Sequence, residues 1–269
     1  GKVTAQDEPI IGATIVAIHE PSGTRYGTVT NVSGQFNLQG MRTGGPYKVE
    51  ISYVGYQTAI YKGINLLLGE NYVLNVSLKE SSELLDEVVV TASKESNMKS
   101  DRAGAIMNAN RDMISNTPTI SRSISDIMRL SPQGADVGNG FAVGGGNYRQ
   151  SFVTVDGAAF NNTFGLGGNL PANGSPISLD ALEQVTVAVT PFDVRQSGFT
   201  GGAINAVTRS GDNQFRGTAY MYFNNENLKG SKVDDYELLR SKAQYYTYGA
   251  SFGGPIIKDK LFFFVNGEY

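Results

Sequence analysis

The chain has no cysteine, no tryptophan and a single histidine, His19, in 269 residues. Without thiols there are no disulfides, no cysteine nucleophile and no cysteine-ligated metal. One histidine does not make a zinc site, which needs several His or Cys ligands, so no metal and no cofactor is expected. His19 ends the alternating run Ala13-Thr14-Ile15-Val16-Ala17-Ile18-His19 and reads as a surface residue at a strand end. A Ser-His-Asp triad built on it has no local support, and no enzyme is expected. The formal charge of −3 leaves no basic face for nucleic acid. No segment approaches the ~20 apolar residues of a spanning helix. The chain opens within a strand pattern at Gly1-Lys2-Val3-Thr4 and closes within another at Leu261–Tyr269, so a piece of a longer protein is expected. The missing signal peptide then says nothing against export.

What the chain does have is alternation in short runs, with 33 glycines between them. Residues 1–79 alternate at Ala13–Ile18, Gly27–Thr30, Gln35–Leu38, Tyr47–Tyr53 and Tyr72–Leu78, the pattern of an antiparallel sandwich. Asn31-Val32-Ser33-Gly34 supplies a tight turn, with Gly34 free to take positive φ. Residues 102–209 mix α and β. Ser121–Leu130 has helical spacing and stops before Pro132, Phe152–Val155 is a strand entering an Asp156-Gly157 turn, and Leu179–Leu182 is a short helix capped by Ser178. Val185–Val189 and Ala203–Thr208 are further strands. Two Gly- and Asn-rich loops, 138–147 and 161–174, interrupt this part. Gly144-Gly145-Gly146 lacks the Lys-Ser or Lys-Thr of a phosphate cradle. In 210–269, Phe215–Phe223, Tyr246–Gly254 and Leu261–Tyr269 are alternating, aromatic-rich and close to the ~9–11 residues that cross a bilayer as tilted strands. A soluble meander is the other reading.

Between the first two parts, residues 80–101 form a polar linker around Leu85-Asp86-Glu87-Val88-Val89-Val90-Thr91-Ala92. Its β-branched core has high strand propensity, while Lys79–Glu83 and Lys94–Asp101 on either side are charged and poor in apolar residues. Two readings follow. It is an edge strand of the preceding domain, or an unpaired strand between mobile arms that recruits a partner strand.

The order of parts resembles a TonB-dependent outer-membrane transporter of the Bacteroidetes style. Pro9…Gly12-Ala13-Thr14-Ile15, Thr30-Asn31…Gly34-Gln35-Phe36 and Val54-Gly55-Tyr56 resemble the carboxypeptidase regulatory-like domain. Leu85–Ala92 is similar to the TonB box, Ser125–Pro132 and Asn147–Gly157 to plug elements, and Leu182–Val187 and Gly201–Gly211 to the plug's closing motifs. Gly253–Phe264 resembles an early barrel hairpin. Val189-Thr190-Pro191-Phe192-Asp193-Val194-Arg195-Gln196-Ser197-Gly198-Phe199-Thr200-Gly201-Gly202 is similar to the Oar-like branch rather than to glycan importers.

The resemblance implies a mainly β chain. A seven-stranded sandwich (1–79) precedes a linker with the TonB box (80–101), a mixed α/β plug (102–209) and the first strands of a barrel of about 22 strands (210–269). It implies active transport of a large solute (peptide, protein or oligosaccharide) across the outer membrane, with sandwich, linker and box on the periplasmic side. The implied partners are the C-terminal domain of TonB with its inner-membrane energising complex, and outer-membrane lipid; a surface lipoprotein is a further partner the family allows. Asp86, Glu87, Val88, Val89, Val90, Thr91 and Ala92 would bind TonB. Arg149, Glu183 and Arg209 are candidates for plug–barrel ion pairs, the alternative being solvated charges. Phe164, Leu166 and Leu170 are candidates for cargo contact, the alternative being loop residues folded back on their own domain. A different class, an adaptor or signalling module without transport, stays open, because the stretch after Arg209 holds only about three spanning strands at ~10 residues each.

Overall fold

The computed structural model describes residues 1–81, 88–91, 106–119, 122–137, 140–161, 177–189, 201–228, 230, 232–234, 236–237 and 242–269. The chain is mainly β, built as three successive units.

The first unit contains β1 (Lys2–Ala5), β2 (Glu8–Pro9), β3 (Thr14–His19), β4 (Thr24–Val29), β5 (Gly44–Ser52), β6 (Ala59–Leu66) and β7 (Asn75–Ser77). β1 pairs with β2 and, in parallel, with β7. β3 pairs with β4 and β5, and β5 with β6, all antiparallel. Period-two alternation drives this arrangement: along β3, Ile15, Ala17 and His19 point inward, and along β5 so do Tyr47, Val49 and Ile51. Val3 and Val76 from the smaller sheet close the core over Ile15, Tyr47 and Ile51. The predicted turn forms, with the Asn31 side chain accepting from the Ser33 and Gln35 amides at 3.0 and 2.9 Å. Gly34 sits at φ +71°, where a Cβ would lie 2.6 Å from the Val3 carbonyl.

Three expectations need correction here. Gln35–Leu38 is not a strand and contributes only a bridge between Gln35 and Lys2. The strand expected over Tyr72–Leu78 shortens to Asn75–Ser77. His19 is not a surface residue: it is 6% exposed, tilted against the Tyr47 ring at 4.9 Å, with Nδ1 bonded to Ser22 Oγ at 2.6 Å. The alternation that buries Ile15 and Ala17 carries inward one residue further than the apolar run. Burial, helped by the charge of Arg42 and opposed by Asp212, pushes the imidazole down to about 4.

The next strand, β8 (Val88–Thr91), joins the first unit's larger sheet, giving the order β4-β3-β5-β6-β8. It runs parallel to β6, in the register Ala59–Val88 to Lys62–Thr91. The strand exists as the sequence predicts, but it is not unpaired between two arms. It is an edge strand of the preceding domain.

The second unit contains β9 (Ile106–Asn110), α1 (Arg111–Asn116), α2 (Ile124–Met128), β10 (Gly134–Asp136), β11 (Phe141–Val143), β12 (Phe152–Val155), β13 (Ala158–Ala159), β14 (Leu182–Ala188) and β15 (Ala203–Thr208). Its sheet has the order β13-β12-β15-β14-β9, and β10 pairs with β11 separately. α2 is shorter than the predicted helix because Ser123 caps it, with the Asp126 carboxylate returning to the Ser123 amide. Ile124, Ile127 and Met128 then face Leu182, Val185, Val187 and Ile204 in the core. The short helix at Leu179–Ala181 is a 3-10 turn capped by Ser178, and the strand after it starts three residues before Val185. β9 and α1 have no clear sequence signature, and the structure adds both.

The third unit holds β16 (Arg216–Asn225), β17 (Lys232–Val233), β18 (Tyr236–Glu237), β19 (Gln244–Ile257) and β20 (Leu261–Glu268). β16, β19 and β20 form an antiparallel sheet with β19 at its centre. Its first face carries Thr218, Tyr220, Ser251, Asn266 and Glu268; its second carries Met221, Phe223, Tyr248, Phe252 and Val265. The second face is bare: Val265 is 64% and Met221 59% exposed. A sheet with a polar face toward a folded unit and an apolar, aromatic face outward has the two-faced character of membrane-spanning strands.

Candidate functional site

The polar face of the third unit receives the second. The node of this contact is Asp180, presented by the 3-10 turn that Ser178 caps. Thr218 Oγ1 of β16 donates to Asp180 Oδ2 at 2.6 Å and meets Ser251 Oγ of β19 at the same distance. Arg111 and Arg209 approach the same carboxylate at 3.5 and 3.8 Å. Burial by itself would raise the Asp180 carboxyl. Hydrogen bonds from Ser251 and Thr218 and the charges of Arg209 and Arg111 outweigh it, and hold the group below the usual carboxylate range. The Arg209 guanidinium also lies over the Phe264 ring of β20, 4.8 Å from its centre.

A second contact lies across the same sheet. Arg122, held at φ +51° just before α2, lies 4.3 Å from the centres of both the Tyr220 and Tyr222 rings. Its Nη1 donates to Tyr222 Oη at 2.7 Å, and its Nε faces Glu268 at 3.7 Å. Glu268 in turn accepts from the Tyr220 hydroxyl and from Ser178 Oγ. Gly249 of β19 makes room for this: a Cβ there would overlap the Tyr220 ring. These side chains bind one folded unit to the wall of another by charge and hydrogen bonds. Their hydroxyl–carboxylate pairs, Thr218 with Asp180 and Ser178 with Glu268, are parts of that contact, and among the described residues no group of acidic or histidine side chains could hold a metal ion.

The first unit touches both others. The Asn213 amide donates to the Pro21 carbonyl at 2.9 Å, and the Asn213 side chain exchanges hydrogen bonds with Asp259 in the β19–β20 turn. Asn108 of β9 donates to Glu70. A cavity of about 250 Å³ lies where the three units meet, lined in part by His19, Arg42, Arg111, Glu183, Arg209 and Arg216.

Of the three residues read from the sequence as ion-pair candidates, Arg209 is brought against the third unit, over the Phe264 ring. Arg149 is exposed and turned onto its neighbour Tyr148, with Nε donating to that hydroxyl at 3.1 Å. Glu183 lines the three-unit cavity and faces the first unit near Gly44. The Asp156-Gly157 turn forms as expected, at φ +50° and +81°. Asp156 also ties β12 to β15 by accepting from the Thr208 amide and hydroxyl. Phe164, Leu166 and Leu170, and Asp86, Glu87 and Ala92 of the box, lie outside the described residues. The backbone of Val88, Val89, Val90 and Thr91 is on the β6 edge. Sequence reasoning missed Asp180, Arg122, Tyr220 and Glu268 as contact residues. The polar half of the alternation in the last three long strands could have found Tyr220 and Glu268; Asp180 and Arg122, on a turn and a loop of the second unit, carry no such signal.

The first and last of these units match known families. Residues 1–79 match the model of the carboxypeptidase regulatory-like domain, and residues 207–269 match that of an outer membrane beta barrel domain. The chain is 31% identical over 151 residues to the TonB-dependent transporter Oar of Myxococcus xanthus, covering 54% of this chain and 14% of that protein. It is 29% identical over 269 residues to the TonB-dependent receptor SusC of Bacteroides thetaiotaomicron, covering 94% of this chain and 24% of that protein. The crystal structure of the siderophore receptor PirA from Acinetobacter baumannii aligns with a TM-score of 0.48 at 21% identity, over 61% of this chain and 24% of that one. The chain therefore spans a quarter or less of the length of each of these proteins. None of the three is named as an enzyme.

Proposed function

Given that this chain belongs to a TonB-dependent receptor of the outer membrane, we propose that it carries the handle, plug and first wall strands of an active transporter. In this reading residues 1–79 are a seven-stranded sandwich, the second unit is the plug, and the third unit begins a barrel of about 22 strands. The transported solute is large: a peptide, a protein or an oligosaccharide. The observation that carries the reading is the polar seam. The second unit is fastened to the polar face of the third through Asp180, Arg209 and Arg122, while the opposite face of that sheet is left apolar.

A seam of this kind suits a plug that must hold and then let go. Packed apolar surface resists separation at any angle, whereas charged hydrogen bonds exchange with water once the seam is opened. The outer membrane offers no ATP, so the opening force comes from the periplasm. TonB, energised from the inner membrane, would pair its own strand with Val88–Thr91 and pull. Main-chain hydrogen bonds give that grip, and loaded along the strand they share the force. The chain between Thr91 and β9 carries the pull to the plug.

Replacing Val89 with Pro tests this, because it removes a backbone donor from the grip. In cells that depend on the receptor for growth on an oligosaccharide or peptide mixture, V89P should abolish energised uptake and leave cargo binding to the purified receptor intact. Uptake at the wild-type rate contradicts the proposal.

A further inference from the structure

The strand that serves as the handle in the proposed function is not offered bare. β8 closes the five-stranded sheet of the first unit, with Lys62 opposite Thr91 and Ala59 opposite Val88. The chain is led there by the stretch before it. The Gln57 amide donates to the Lys79 carbonyl at 2.9 Å, the Ser81 amide to Gly55 at 3.0 Å, and Tyr56 bridges Glu80.

Each residue of a strand directs its N–H and C=O to one side, and successive residues alternate sides. Half of Val88–Thr91 therefore bonds β6, and the other half aims its backbone groups outward. Among the described residues no strand pairs with that outer edge. The sheet's opposite edge, β4, carries Arg25 and Gly27, and charge and interruption blunt an edge. Val-Val-Val-Thr carries no lysine, arginine, glycine or proline. An edge without such protection recruits a strand.

We propose that the first unit is a presenting dock: β6 holds the handle extended, and the strand of the energising partner adds to the outer edge of β8 as the sixth of the sheet. The inference rests on the reading of Val88–Thr91 as the partner's grip. Its added content is that docking helps the partner rather than hindering it. A strand already held extended has less freedom to lose on binding, and its outward hydrogen-bonding groups are the ones β6 does not use. The opposite arrangement, in which β6 hides the strand and the partner must strip it away, predicts the reverse response to a lock.

The lock is Lys62→Cys with Thr91→Cys in the full-length receptor. This chain has no cysteine of its own, and Lys62 is exposed. Adjacent strands are about 4.8 Å apart, within the Cα separation a disulfide spans. The purified TonB C-terminal domain is the probe, titrated against oxidised and reduced receptor, with hydrogen exchange on the unbound wild type as a measurement free of substitutions. The dock predicts protected amides across 88–91, ready oxidation of the pair, and oxidised affinity equal to or tighter than reduced. Absence of protection, failure of the disulfide to form, or a loss beyond about tenfold on oxidation that reductant reverses would overturn it. V89P and V90P, tested separately, separate the two claims, because successive residues alternate sides and one of the two gives its N–H to the outer edge. If both variants bind TonB like wild type, the grip itself is misplaced; if either fails to bind and the lock also abolishes binding, the grip stands and only the dock falls.

Discussion

Asp180 concentrates the contact between the second unit and the third in one side chain. It is mostly buried, receives Thr218 from the wall and faces two arginines from its own unit. Asp180→Ala removes the acceptor and leaves Arg111 and Arg209 beside each other without the carboxylate both approach, although the charge of Glu183 still acts on Arg209. The expected cost to seating of the second unit is about 1–3 kcal/mol, read as a lower urea midpoint for proteolysis of residues 106–208 in the purified receptor. Arg149→Ala should shift that midpoint by less than about 0.5 kcal/mol, because the Arg149 side chain is exposed and turned onto its neighbour Tyr148. Acid should act like the alanine. A carboxyl whose folded pKa is depressed contributes stability above its unfolded pKa and loses it as pH falls through the folded one. Asp180 therefore supports the seam at neutral pH, and the support drains away below the ordinary carboxylate range. A midpoint that does not move in acid, or moves equally in the wild type and Asp180→Ala, contradicts this assignment.

Among the elements, those that declare themselves in the sequence are those whose burial is local and one-sided. β3 and β5 alternate cleanly because one face meets a core and the other meets water. β6 does not: Ala59-Ile60-Tyr61-Lys62-Gly63-Ile64-Asn65-Leu66 is buried at two successive residues, then bulges against β5. With β6 unread, β8 has no visible partner, which is why the sequence leaves it looking unpaired. β9, Ile106-Met107-Asn108-Ala109-Asn110, is a strand because β14 supplies its register, and its own residues say little. In the last sheet the alternation is legible, but its use is not: Arg122 and Tyr222 are 100 residues apart, and Tyr220 and Glu268 are 48 apart. The fit between β16 and β19 gives a test at this scale. Gly249→Ala places a methyl in the space the Tyr220 ring occupies, so the ring must leave its place under Arg122. The expected loss is about 1–3 kcal/mol in the same urea midpoint; an unchanged midpoint would show that the Arg122 stack does not hold the seam.

For the whole molecule, the order of the three units was readable from composition and alternation, and the comparisons match the first and last of them. How the units meet was not readable, because seams are made by pairs far apart in sequence. The structure gives the second unit a polar seam against the third, and puts Val88–Thr91 on the sheet of the first. Force entering at Val88–Thr91 would pass toward β9 and load that seam. Ser251 reports on this directly. It sits on the wall, 5% exposed, beneath the second unit and beside Thr218, in a chain without cysteine. In cells carrying the full receptor with Ser251→Cys, a bulky membrane-impermeant maleimide should label this position when the cells are energised and supplied with the growth mixture. Labelling should stop on adding a protonophore or the V89P substitution. Labelling that is equal with and without the energy source and with and without the intact strand would contradict a pulled plug.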